Sequence, residues 1–292
     1  MIRKQLRCLW TFFGAPGTLL WLLCHSAVST ADAGVHKQHR IVTLAPHLAE
    51  VVFAAGAGGH LIGVISGTDY PLAATKIAVV GGVHGIDFEK LVMLEPTMVL
   101  GWEDGTKPAD IAKLQSLDIP VRILRSNRLV DIYKQIIEVG DMFDSSVTAA
   151  ANANIVLERI LKLSLYSSTY NQKNIFVQIW DKPIFMIGRE HLINEGLALC
   201  GARNVGEGYP FIAGSVSVET VLLSGADSIL DLTGNWSTEI SGLNSNQGRY
   251  IAAYIPVFIG DADLLMRPGP RFLDGLDQLC MQFRENTLQN GE

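Results

Sequence analysis

The chain has 292 residues, 48% of them hydrophobic and 18% charged, with a formal net charge of −6. That is too apolar for a disordered chain and long enough for one large or two medium domains. The acidic balance lacks the basic footprint of a nucleic-acid binder, and no heptad run or low-complexity tract points to a coiled coil or fibre.

Residues 1–33 read as a cleaved secretory signal peptide. Arg3, Lys4 and Arg7 precede an apolar run from Leu9 to Leu23, and the stretch ends in Ala31-Asp32-Ala33. A membrane anchor is the alternative, but Gly14, Pro16 and Gly17 interrupt a run already short for a span. Leu23 before Cys24 does not fit a lipoprotein site. Cleavage removes three basic side chains and one acidic one, leaving 259 residues with 20 basic and 28 acidic groups, a net of −8. Cys8 and Cys24 leave with the signal. Cys200 and Cys280 remain, and an even pair in an exported protein reads as one disulfide, with two buried thiols as the alternative. A loop of that length is worth roughly 4 kcal/mol in chain entropy.

From Arg40 onward short apolar runs alternate with helical periodicity. Strands are expected at Ile41–Leu44, Leu61–Ile65, Thr97–Leu100 and Val121–Leu124. Helices are expected from His47 to Ala55, from Phe88 to Leu94 behind Asp87 as N-cap, and from Pro108 to Leu117. Such alternation indicates βαβ units and parallel sheets. Residues 129–166 carry no strand signal. An amphipathic helix is expected at Leu129–Val139, and a longer one runs from Ser145 or Ser146 to about Tyr166. About 20 residues at 1.5 Å each would span roughly 30 Å. Alternation then resumes, with strands at Ile175–Ile179, Ser228–Leu232 and Val257–Ile259. Helices are expected at Leu192–Leu199, Val218–Leu223 and Arg271–Phe283.

The two alternating regions contain a repeated unit. Phe88–Trp102 aligns without gaps on Val218–Leu232 at an offset of 130, placing Glu89 on Glu219 and Val99 on Ile229. Each copy is a helix entered by a glutamate, a tight turn and a buried strand. Two lobes of similar topology separated by a long helix follow, and the cleft between lobes is a natural ligand site. Either glutamate alone is explained by its helix dipole. As a matched pair they could form a two-point acidic dock for a basic partner.

Enzyme signatures are missing: the chain has no G-x-x-x-x-G-K-[ST], G-x-S-x-G, H-E-x-x-H or C-x-x-C. The mature histidines, His36, His39, His47, His60, His84 and His191, show no helical metal-ligand spacing, and surface or cap roles account for them. His47 and His84 adjoin strand ends and could face the cleft. Trp102, Trp180 and Trp236 each follow an expected strand end, as does Tyr70 in Thr68-Asp69-Tyr70-Pro71. Ligands of parallel α/β sheets bind beyond these ends, so the rings suit a large flat ligand, although each could instead cover a sheet end.

The chain from about Arg40 to Phe283 resembles the periplasmic substrate-binding proteins of cobalamin and iron-chelate ABC importers, most closely the cobalamin-binding branch. The segments that carry this are RIVTLAPHLAEVVFAAGAG, GVISGTDYP, FEKLVMLEPTMVLGW, IFVQIWDKPIFMIGREHLI, LALCGARNV, VSVETVLLSGAD and RPGPRFLDGLDQLC. The resemblance implies an α/β fold of two Rossmann-like lobes with parallel sheets joined by a single long helix. Residues 38–140 would form the N-terminal lobe, 141–172 the connecting helix and 173–285 the C-terminal lobe. It implies a monomer that performs no catalysis, needs no cofactor or resident metal, and carries cobalamin or a related metal chelate as cargo to a permease at the inner membrane. By the same resemblance Tyr70, Trp102, Asp263 and Arg267 would contact ligand. Glu89 and Glu219 would dock the permease, and Cys200 would pair with Cys280. Departures qualify the ligand set. Where the cobalamin branch carries a first-lobe tryptophan, this chain reads Gly81-Gly82-Val83-His84-Gly85, which brings His84 into the set. Extra residues surround Tyr209-Pro210-Phe211, and Trp180 and Phe185 share one candidate segment. Phe211, Trp180 and Phe185 join the ligand set on those terms. Heme or a ferric siderophore on the same fold is the alternative cargo; an exported enzyme would need a nucleophile–base pair or metal cluster that the sequence lacks.

Overall fold

The computed structural model describes residues 39–165, 172–233 and 254–289. The expected signal peptide, Tyr166 and Trp236 lie outside them. In the first half the chain forms β1 (Ile41–Thr43), α1 (Pro46–Ala54), β2 (Leu61–Val64), β3 (Ala78–Val79), β4 (Gly81–Gly82) and β5 (Gly85–Ile86). It continues through α2 (Phe88–Met93), β6 (Met98–Trp102), α3 (Pro108–Ser116) and β7 (Val121–Leu124). Two helices follow, α4 (Leu129–Met142) and α5 (Ser146–Ser164). The second half has β8 (Lys173–Asp181), β9 (Ile184–Ile187), α6 (Leu192–Leu199), β10 (Ala202–Asn204), β11 (Ala213–Val216) and α7 (Val218–Leu222). It closes with β12 (Ser228–Asp231), β13 (Val257–Ile259), α8 (Ala262–Leu265) and α9 (Phe272–Gln289).

The first sheet runs β3-β2-β1-β6-β7, and its pairs are parallel. β4 and β5 form a separate antiparallel ribbon. The second sheet runs β11-β9-β8-β12-β13. There β12 is parallel to both β8 and β13, and β10 pairs in parallel with the start of β8. One detail differs from expectation: β9 returns antiparallel on the end of β8, and β11 antiparallel on β9. The reason is local. Only Lys182 and Pro183 separate β8 from β9, too few residues for a crossover helix, so the chain must form a hairpin.

The sequence repeat is a structural repeat. β1 and β8 occupy the centre of their sheets, with β6 and β12 beside them and β7 and β13 at the edge. The crossover helices start alike. Asp87 Oδ1 accepts the Lys90 N–H at 3.0 Å, and Ser217 Oγ accepts the Thr220 N–H at 3.2 Å, both N-caps offset by 130 residues. They also stop alike, in a left-handed residue: Glu95 at φ 45° and Gly225 at φ 71°.

One apolar cluster runs through both halves. It takes Ile41 and Leu100 from the first sheet, Ile132 and Ile136 from α4, Ala149 and Ala153 from α5, and Ile175 and Leu230 from the second sheet. Leu273 and Leu276 of α9 complete it. Each fully buried Leu or Ile stabilises by roughly 1.5–3 kcal/mol. Small residues on α5 permit its close approach: a Cβ on Gly140 would lie 2.2 Å from the Ala149 Cβ. Cys200, at the end of α6, is disulfide-bonded to Cys280 of α9 with the Cα atoms 4.8 Å apart, closing a sequence separation of 80. Among the described residues no helix is long and apolar enough to cross a membrane.

Candidate ligand-binding cleft

The strands of the first sheet deliver their carboxyl ends to one edge. β6 ends in Trp102, and Ser126 and Asn127 follow β7. The second sheet presents the late part of β8 and the segment after α8 to the same place. Between them lies a cavity of about 380 Å³. Trp102, Asp104, Ser126 and Asn127 line one wall. Ile179, Ile187, Glu190, His191 and Leu192 line the other, with Ile212, Leu265, Met266 and Phe272 completing the surround. The lining is mainly apolar with a few polar groups, as ligand sites require.

Of the expected ligand residues, Trp102 lines this cavity. Its ring stands edge-on to His47 of α1, with centroids 5.0 Å apart and planes at 87°. His47 is only 2% exposed, and among the described residues its Nε2 has no partner. Burial, aided by the nearby Arg267 charge, lowers its pKa to about 3, so this ring is neutral at physiological pH.

Beside the cavity Tyr70, Asp263 and Arg267 meet in one charged network. Arg267 bonds Asp263 at 2.6 Å and Asp69 at 2.8 Å. Arg271 also reaches Asp69, at 2.9 Å, and its guanidinium lies 4.5 Å from the centroid of the Tyr70 ring. Its other partner is Glu50 of α1, whose Oε1 accepts Arg271 Nε at 3.0 Å and Nη2 at 2.8 Å. Glu50 is nearly inaccessible, and burial raises its pKa although Arg271 opposes the shift. Asp69 shows the reverse balance. Burial pushes it up, but Arg267 and Arg271 together hold it below the usual carboxylate range. The network ties α1 and the loop after β2 to the segment between α8 and α9.

The other expected residues lie elsewhere. Trp180 and Phe185 face each other across the β8–β9 hairpin, and Trp180 is 56% exposed. Phe211 packs on Tyr209 at 5.4 Å and against a small core with Phe176 and Val221; a Cβ on Gly188 or Gly214 would strike its ring. That contact makes it part of the second sheet's packing. His84 is exposed in the turn of the β4–β5 ribbon. Glu89 and Glu219 are exposed on the first turns of α2 and α7, and the Ser217 hydroxyl keeps the Glu219 carboxyl below its ordinary pKa.

Sequence reasoning missed Glu50, Asp69, Arg271 and the cavity role of His191. A signal existed for the first: Glu50 is the one acid on the otherwise apolar α1, Pro46-His-Leu-Ala-Glu-Val-Val-Phe-Ala54. A lone acid on a buried helix face needs a cation. Asp69 and Arg271 belong to the DYP and RPGPR motifs, but which cation meets which acid is decided only by the folded chain.

Comparison with known proteins agrees with this architecture. The chain is 28% identical over 272 residues to the vitamin B12-binding protein of Vibrio vulnificus strain CMCP6, covering 91% of this chain and 96% of that one. It is 29% identical over 266 residues to the vitamin B12-binding protein of Pectobacterium carotovorum, covering 90% and 94%. The crystal structure of the periplasmic vitamin B12-binding protein of Vibrio cholerae superposes with a TM-score of 0.75 at 28% identity, covering 83% of this chain and 95% of that one. A periplasmic heme-binding protein from Roseiflexus shares the fold, with a TM-score of 0.74 at 21% identity over 85% and 98% of the chains. The periplasmic binding protein family matches residues 41–241, and the chain belongs to that family.

Proposed function

We propose that this protein is a periplasmic receptor that captures cobalamin or a related corrinoid in the cleft between its two sheets and delivers it to an ABC permease. In this reading the signal peptide is cleaved near residue 33. Residues 38–140 and 173–285 act as two lobes about the 141–172 connection. The protein works as a monomer and performs no chemistry on its cargo. The observation that carries the proposal is the near full-length similarity to vitamin B12-binding proteins, joined to an apolar cavity walled by Trp102 at the carboxyl ends of the strands.

The cavity is much smaller than a whole corrinoid, so part of the cargo lies in the open mouth, against Tyr70 and the Asp263–Arg267 pair. Glu89 and Glu219, repeated at equivalent places in the two sheets, are the docking points for the permease. Calorimetric titration with cyanocobalamin, heme and ferric siderophores tests the cargo. Saturable binding of cyanocobalamin alone supports the proposal. Heme binding with a Soret band that disappears on Tyr70→Phe or His84→Ala would assign the cleft to heme instead.

A further inference from the structure

His191 lines the cavity, and its hydrogen bonding says what its ring can do there. It caps α6, and its Nδ1 accepts the Ile193 N–H at 3.1 Å. An imidazole nitrogen that accepts a bond carries no proton, so the neutral ring holds its proton on Nε2. Burial lowers the pKa of this ring to about 4, which keeps it neutral through the physiological range. His191 lines the 380 Å³ cavity, and among the described residues its Nε2–H meets no acceptor. A nitrogen in this tautomer cannot also ligate iron, so His191 is built as a hydrogen-bond donor.

Two carboxylates share the cavity, Asp104 from the turn after β6 and Glu190 beside His191. Glu190 is held in the left-handed region, at φ 62°. Burial and the neighbouring Glu103 raise the pKa of Asp104, with Arg125 opposing. Among the described residues no lysine or arginine lines the cavity. Asn127 adds an amide to the wall.

An anion entering here would meet two acids and, among the described residues, no lining cation, and like charges placed together cost several kcal/mol. A primary carboxamide fits better: its carbonyl accepts from His191 Nε2–H, and its NH2 donates to Asp104 or Glu190. We infer that His191, Asp104 and Glu190, drawn from both walls of the cavity, make it a carboxamide-reading subsite that admits a neutral amide arm of the cargo and rejects the corresponding carboxylate. This rests on the corrinoid reading and deepens it. The rim of a corrinoid carries carboxamide arms, whereas heme carries carboxylates.

The test uses the protein purified from the periplasm, titrated at pH 7.5 with cyanocobalamin and with each of its monocarboxylic acids, in which one amide arm is hydrolysed. At least one acid isomer should bind about tenfold or more weakly than the parent. The Asp104→Asn/Glu190→Gln double variant keeps acceptors without charge, so the ratio between its own affinities for the parent and for that acid should fall to within a few-fold. His191→Leu should weaken the parent about tenfold, and His191→Gln, which restores a donor, should recover most of it. If every acid binds within twofold of the parent, or the double variant leaves the discrimination unchanged, the subsite is wrong while the corrinoid reading stands. If cyanocobalamin does not bind at all, both fall.

Discussion

Arg271→Met should be among the most damaging single substitutions in this protein, because it strands a buried acid. Glu50 has 2% of its side chain exposed and Arg271 18%, with contacts of 2.8 and 3.0 Å to one carboxylate oxygen. Removing one partner of such a pair costs about 3–5 kcal/mol, chiefly by leaving the other charge in a poor dielectric. With a urea slope of about 3 kcal/mol/M, the unfolding midpoint at pH 7 should fall by about 1–1.7 M. The pH dependence supplies the sharper check. Glu50 has its folded pKa raised, above all by burial, and losing Arg271 raises it further. An acid of this kind contributes stability that is present below its unfolded pKa and lost as pH rises through the folded one. Protonation should therefore relieve the variant as pH falls. Each unit of difference between the two folded pKa values is worth about 1.4 kcal/mol, so the deficit relative to wild type should shrink as pH falls from 7 to 5, by at most about 1.4 kcal/mol per pH unit. Comparing the two proteins at each pH cancels the histidine terms they share. Glu50→Gln/Arg271→Met should recover most of the loss. A single-variant deficit under about 1 kcal/mol, or one equal at both pH values, would refute a buried, cation-dependent Glu50.

Replacing Cys200 and Cys280 together by Ala should lower stability by about 4 kcal/mol, read from denaturant curves under non-reducing conditions. The folded pKa values of His47 and His191, about 3 and about 4, lie below the usual histidine value, so their contribution is full above about pH 6.5 and declines as pH falls below it. Urea curves at stepped pH should show a slope approaching about 1.4 kcal/mol per unit for each ring, and His47→Phe should remove about half of it. Trp102→Ala should weaken cobalamin binding at least about tenfold in a titration, since it strips the aromatic wall from the cavity, while leaving the far-UV spectrum unchanged. Glu89→Lys/Glu219→Lys should abolish uptake in cells yet leave cargo affinity intact; lost affinity would contradict the separation of docking from binding.

Much of the architecture is legible in the residues because its signals are local. Asp87 and Ser217 announce helix starts, Gly201 follows the end of α6, and a gapless offset of 130 residues marks the repeated βα unit. β9 and β11 were less visible. Ile184–Ile187 is a four-residue apolar run next to Pro183, and nothing in so short a run distinguishes an antiparallel return from a parallel strand. The site was legible in part. Tyr70, Asp263 and Arg267 do converge, and Trp102 does wall a cavity. The Glu50–Arg271 pair joins residues 221 positions apart, and the tautomer of His191 depends on a backbone N–H two residues on. Such pairings are properties of the folded chain, which no local pattern encodes.

The central claim is that the cleft takes a corrinoid. Calorimetry on the purified protein with cyanocobalamin, and with heme as the competing arm, measures it most directly. The account predicts one saturable cobalamin site per chain that Trp102→Ala weakens. Heme saturating the cleft while cyanocobalamin releases no heat would contradict it.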